Sequence, residues 1–281
     1  ADDMLKPKTL EIMANSLDAD KRSGAVYADM EHLSTGGRRA GSHSVDFDPR
    51  LLELDNFITP PRMFRRRCME AIGAYCDSET IKNAMEDWDY LLRFSDRFPI
   101  THIPKVLYEN RLHQDGLTAN LKSKNYQYVV GKRMDRMSSG EKVRIPFAGY
   151  YSGIIHRLIH KYGQDPQAAA HFAKRFIRMT PQDPEAHISL GLAYLAAGHF
   201  ESAIDIFHKA THLSGSSRKD LFNAYRLLAY SYSRLRKMCL VRKFNQKSID
   251  ILSVKDIHPV NRYDPVLTVN RFLTLLSAEK R

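Results

Sequence analysis

The chain has 281 residues, of which 43% are hydrophobic and 27% charged, and its formal net charge is +11. That length can bury two separate cores, and the composition is ordinary for a globular protein. No uncharged apolar run is long enough for a membrane-spanning helix, and the start of the chain has no signal-peptide pattern. The three cysteines Cys68, Cys76 and Cys239 are odd in number and lack the paired short spacings of zinc sites, which points to a reduced, cytosolic setting. The charge is unevenly placed. Residues 1–125 hold 18 Lys+Arg against 20 Asp+Glu, and residues 126–281 hold 25 against 12, so the first part is at −2 and the second at +13. The two parts are expected to meet different partners.

In chain order, residues 7–17 read as a helix with Pro7 near its first turn and Leu10, Met13 and Leu17 on one side. Residues 23–29 form a short apolar run expected to be a buried strand. Residues 34–44, with Gly36, Gly37 and Gly41, read as a polar, mobile loop that lacks the Gly-Lys-Ser/Thr ending of a P-loop. A short helix is expected at 50–55, a strand end at 61–65, and a helix at 66–72 closed by Gly73. The acidic stretch Glu86-Asp87-Trp88-Asp89 opens a helix, because free N–H groups and the dipole favour negative charge in a first turn. Asp89 and Arg93 are four apart and can pair, while Leu91 and Leu92 turn inward. Strands are expected at 98–103 and 106–112. Alternating helices and strands make residues 1–125 an α/β domain.

Beyond it, residues 126–147 read as a linking helix and loop, and residues 148–281 as an all-α domain of helices joined by short turns. Its clearest segment, 184–214, carries Leu190, Gly191, Tyr194, Gly198, Ala203, Phe207 and Ala210. Gly191 and Ala203 allow two antiparallel helices to approach, and Leu190, Tyr194 and Phe207 fill the groove between them. This spacing resembles a tetratricopeptide repeat. Weaker matches lie on either side, through Ala169 and Pro181 before it and Leu228, Ala229 and Tyr232 after it. A helix at 266–278 is expected to cover the open end of the stack.

The first domain carries a second resemblance. Asp2-Asp3-Met4-Leu5-Lys6-Pro7 with Leu10 is similar to the metal-binding segment of inverting family-2 glycosyltransferases of the GT-A fold. Further segments follow in that family's order: Val26-Tyr27-Ala28-Asp29, Met63-Phe64-Arg65-Arg66, Ile72-Gly73-Ala74-Tyr75, Glu86-Asp87 with Leu92-Arg93, Ile103-Pro104 and Arg111-Leu112-His113. The resemblance covers residues 1 to about 120 and implies a partial GT-A domain, its acceptor side. The first aspartate of the motif would precede Ala1, so most of the donor-binding half is expected to lie outside this sequence. A fragment of that kind is expected to be inactive alone.

The resemblance implies a metal-dependent enzyme moving a sugar from a nucleotide-diphosphate donor to a glycan or polysaccharide acceptor. Asp87 would be the general base that takes the proton of the attacking hydroxyl, with Glu86 as its neighbour and Trp88 as a flat surface for a sugar ring. A divalent metal, Mg or Mn, would be held by the hard oxygen of Asp2, with His113 as a second ligand or a diphosphate contact. Asp3 either assists the metal or caps a helix. Arg65 either meets phosphate or an acidic acceptor or sits on a solvated basic edge, and Arg111 is a further substrate-binding candidate. The basic helical domain suits a protein partner, an anionic glycan or an anionic membrane surface, so the expected location is cytoplasmic, either free or peripheral at the inner face of the membrane. A competing reading is a non-catalytic helical-repeat scaffold with a degenerate transferase domain. Nucleic acid is disfavoured, because the basic and aromatic residues form no recognition module.

Overall fold

The computed structural model of the protein describes residues 3–34, 36–81, 84–112, 123–141, 149–162 and 164–251. The chain divides into two compact units, Ala1–Arg144 and Ile145–Arg281. Among the described residues the first is mixed α/β around a small sheet and the second is all-helical.

The first unit holds β1 (Met4–Leu5), α1 (Thr9–Ala19), β2 (Ala25–Leu33), β3 (Arg39–His43), α2 (Pro49–Leu54), β4 (Arg62–Phe64), α3 (Arg66–Ile72), α4 (Glu86–Ser95), β5 (Ile100–Arg111) and α5 (Ser123–Ser138). The sheet runs β1-β5-β2-β3, and β4 pairs with the same strand β2 as β3 does. Strands β2 and β5 are parallel, and the other pairings are antiparallel. Residues Ala25 to Met30 of β2 are all buried, as expected of a strand covered on both faces.

Three expectations change here. Strand β2 does not end at Asp29 but runs on to Leu33, and residues 34–44 are not a loop. They make a hairpin, in which the Gly37 N–H reaches the Ser34 carbonyl at 2.8 Å with Gly37 at φ +74°, and β3 returns along β2. Its alternating polar residues suit an exposed edge, which is why composition alone reads as loop. The two strands expected at 98–112 are one, β5. Its register against β2 passes from Ile103 opposite Ala28 to Val106 opposite Asp29, so Pro104 and Lys105 are pushed out as a bulge and the strand continues. In α1 the buried stripe is Thr9, Met13 and Leu17, whereas Leu10 is 62% exposed. Met13 and Leu17 pack with Val26, Ala28 and Leu107 as one core cluster.

Helix α4 buries Trp88, Tyr90, Leu91, Leu92 and Phe94, and the expected Asp89–Arg93 pair forms at 3.0 Å. Helix α5, expected to link the domains, packs into the first unit. Tyr126 stacks on Trp88 at 5.2 Å and donates to the Leu54 carbonyl. Arg133, 2% exposed, lies between the carboxylates of Glu53 and Asp96, whose side chains are equally buried. Burial opposes its charge, but the hydrogen bonds and fields of Asp96 and Glu53 more than reverse this and raise its pKa.

The second unit contains α6 (Tyr150–His160), α7 (Pro166–Met179), α8 (Pro184–Ala196), α9 (Phe200–Thr211), α10 (Arg218–Arg234) and α11 (Met238–Ile251). Three of the starts have a local cause. Asp165 and Asp183 cap α7 and α8 ahead of a proline that needs no N–H partner, and Ser217 with Asp220 forms a capping box on α10. Helices consecutive in sequence pack on one another throughout. At the α8–α9 contact a β-carbon on Gly191 would stand 2.2 Å from the Phe207 ring, so hydrogen is the only side chain this crossing accommodates. Glu185 is buried and caps α6 from α8, its carboxylate accepting the Gly149 N–H at 2.7 Å and the Ser152 N–H and hydroxyl at 3.2 Å each. The capping helix expected at 266–278 lies outside the described residues.

Candidate functional site

Asp87 stands in the first turn of α4, with its side chain 30% exposed. Two donors converge on its Oδ2: Asn56 Nδ2 at 3.0 Å and an Arg62 terminal nitrogen at 2.8 Å. Oδ1 accepts no hydrogen bond among the described residues. The carboxylate is thus oriented through one oxygen, while the other meets no donor among the described residues. Glu86, beside it, turns its carboxylate back to the Ala84 N–H at 2.8 Å.

The neighbouring aromatic surface is supplied by Tyr75. Its ring is 44% exposed and stacks on the buried Tyr90 at 4.4 Å. Burial pushes the Tyr75 phenol up, Arg62 opposes this, and Asp87 and Glu86 add to it. Arg93 holds the turn that carries Tyr75 by donating to the Ile72 carbonyl at 3.2 Å and the Ala74 carbonyl at 2.9 Å.

Two expected substrate contacts are corrected. Trp88 offers no face to a sugar: it is 1% exposed, lies against Tyr126, and donates its indole N–H to the Leu52 carbonyl at 2.7 Å. One residue further along a helix turns the side chain by about 100°, so Asp87 faces out while Trp88 enters the core. Arg65 is likewise committed. Its guanidinium donates to the carbonyls of Leu17 and Asp20, at the end of α1, and to the Ser23 carbonyl at 2.8 Å. A cation there satisfies carbonyls left open by a helix C-terminus.

Arg111, at the end of β5, uses its backbone N–H to hold Asp3 Oδ1 at 2.9 Å, and Asp3 Oδ2 accepts the Tyr108 hydroxyl at 3.0 Å. Asp3 therefore ties β1 to β5. Asp2 and His113, the expected metal ligands, lie outside the described residues. Among the described residues no three His, Cys, Asp or Glu side chains converge as a metal site.

One group was not foreseen. Across the sheet, Arg62, Tyr27 and His102 are register partners on β4, β2 and β5, which puts them in one row on one face. His102 stacks on Tyr27 at 4.8 Å, and its ring nitrogens meet Asp29 at 2.6 Å and the exposed Asp46 at 2.9 Å. The pattern 'strand ending in aspartate' singles out Asp29, but the histidine is 73 residues away and becomes its partner only once β2 and β5 pair.

No family model matches the chain. Over 136 residues it is 31% identical to a protein of Sinorhizobium fredii (strain NBRC 101917 / NGR234) whose name is "Uncharacterized protein y4gI". That match takes in 47% of this chain, and the chain spans 15% of the length of that relative.

Proposed function

We propose that the first unit is the acceptor side of an inverting, GT-A-like glycosyltransferase, and that Asp87 is its general base. The observation that supports this most is the part-exposed Asp87 carboxylate, held by Asn56 and Arg62 through Oδ2 and with no donor to Oδ1 among the described residues. Base catalysis needs such a group: rigid enough to aim, and free on the side that meets the sugar hydroxyl. As the hydroxyl oxygen attacks the anomeric carbon, its proton passes to Oδ1, the bond from that carbon to the diphosphate oxygen breaks, and the nucleoside diphosphate leaves with the electron pair; the Arg62 guanidinium sits where the carboxylate's charge changes. Tyr75 takes the part of the sugar platform in place of Trp88. A divalent metal held through Asp2 and His113 belongs to the same proposal. The described carboxylate next to it, Asp3, is already committed to Tyr108 and Arg111.

In this reading the second unit is a stack of tetratricopeptide-like hairpins. The close Gly191–Phe207 crossing and the packing of helices in sequence order support it. The excess of basic residues after 126 suits an anionic partner or the surface of the inner membrane. Among the described residues no helix is long and apolar enough to cross a membrane.

The test is to incubate the full-length protein with a panel of nucleotide-diphosphate sugars, glycan acceptors and Mg or Mn, and to follow nucleoside diphosphate release. The proposal expects release that depends on acceptor, with inversion at the anomeric carbon, and its loss on adding a chelator. Silence across the panel, with binding of protein partners through the helices intact, would favour the scaffold reading instead.

A further inference from the structure

Cys76 sits at partial exposure in the segment between α3 and α4. Helix α5 brings two side chains to its sulfur: Lys132 Nζ at 3.2 Å and the Tyr128 hydroxyl at 3.7 Å. They are one helical turn apart, and the Lys132 ammonium also lies over the Tyr128 ring, 5.3 Å from its centroid. Lys132 is exposed, and its contacts with the Tyr128 ring and the sulfur favour the position over Cys76. Asp77 and Glu79 of the same segment have partners of their own.

We propose that Cys76 is a reactive thiol, a modification site for hydroperoxides and other small soft electrophiles, set up by Lys132 and Tyr128. Burial works against a thiolate here, but the hydrogen bonds from Tyr128, Lys132 and the Ser78 N–H outweigh it, and the Cys76 pKa is lowered. With hydrogen peroxide the sulfur attacks one peroxide oxygen. An S–O bond forms, the O–O bond breaks, sulfur is oxidised by two electrons and the peroxide reduced. The departing hydroxide takes a proton from the Lys132 ammonium and leaves as water, the product is a sulfenic acid, and solvent returns the proton to the lysine. The other cysteines are internal controls. Cys68 is buried, and Cys239 is exposed with no cation at hydrogen-bond distance among the described residues.

An ordinary thiol is about 3% ionised at pH 7, so a thiol stabilised as thiolate can gain up to ~30-fold in ionised fraction, but the lower nucleophilicity of the stabilised thiolate trims the net gain in rate to about threefold. The experiment treats the full chain with iodoacetamide at pH 7 and follows the three cysteine peptides by mass spectrometry. In parallel, hydrogen peroxide with a dimedone probe traps sulfenic acid. Cys76 is expected to be alkylated several-fold faster than Cys239, and to be the first site trapped. Lys132→Met is expected to slow Cys76 by about threefold, Tyr128→Phe by less, and Lys132→Arg to retain the wild-type order. Alkylation of Cys239 as fast as Cys76 in the wild type overturns the proposal, and so does a folded Lys132→Met variant with unchanged Cys76 reactivity. Should that variant fail to fold by circular dichroism, the wild-type order of the two cysteines decides alone.

Discussion

Glu185 makes the second unit sensitive to pH in a direction opposite to the usual behaviour of carboxylates. It is buried among α6 and α8, and burial pushes its pKa from 4.5 up to about 7, against the hydrogen bonds from Gly149 and Ser152. Between those two values the folded chain holds a proton that the unfolded chain has released. Stability from this group is therefore complete below pH 4.5 and is lost as pH rises through 7. A separation of about 2.5 units corresponds to ~3 kcal/mol in total, of which ~2–3 kcal/mol falls between pH 5 and pH 8. Glu185→Gln removes the titration and keeps the shape. Gln offers one acceptor oxygen to three donors, so the variant starts less stable, but that loss does not vary with pH. The assay is urea unfolding from pH 5 to 8, followed by far-ultraviolet circular dichroism for the helices and by fluorescence of the sole tryptophan, Trp88, for the first unit. The wild-type advantage over Glu185→Gln should shrink by ~2–3 kcal/mol across this range, in the dichroism transition. A difference that stays flat, or that grows with pH, would show that Glu185 is not held protonated by its burial.

The other predictions concern packing and the site. Arg133→Met removes the buried cation from between Glu53 and Asp96, leaving Asp96 only the longer 3.4 Å pair with Arg136, and should cost the first unit about 3–5 kcal/mol by Trp88 fluorescence, and a loss under 1 kcal/mol would contradict the buried cluster. Gly191→Ala places a methyl group 2.2 Å from a Phe207 ring atom. The overpacking, about 1–3 kcal/mol, should outweigh the ~1 kcal/mol gained in helix propensity, and Phe207→Leu should relieve it, so that the double variant is more stable than the two single losses add up to. Strict additivity would remove the contact as the cause. Tyr75→Ala should raise the acceptor KM about tenfold or more with the fold intact, whereas an unchanged KM would take Tyr75 out of the acceptor site.

Where local chemistry decides, the residues announce the structure. Asp165-Pro166, Asp183-Pro184 and Ser217 with Asp220 mark helix starts because cap and proline act within one turn. Asp89 and Arg93 pair for the same reason. Orientation against distant elements was less legible. Trp88 and Asp87 are neighbours in sequence, yet only the presence of Leu52 and Tyr126 makes one of them core. Arg65 reads as a free cation until α1 ends beneath it. Asn56 and Arg62, which orient Asp87, lie 31 and 25 residues away from it, and no spacing rule connects them. Glu185 reads as a first-turn surface acid, because its burial depends on where α6 lies.

The most direct test of the account is the rate of sugar transfer by the Asp87→Asn variant of the full-length protein. Asn keeps the size of the side chain and a partner for Asn56 or Arg62, but cannot take a proton from the acceptor. The account predicts kcat lower by about 10²–10⁴-fold, with acceptor KM and the Trp88 unfolding midpoint close to wild type. Transfer by a folded Asp87→Asn protein at a rate within a few-fold of wild type would contradict it.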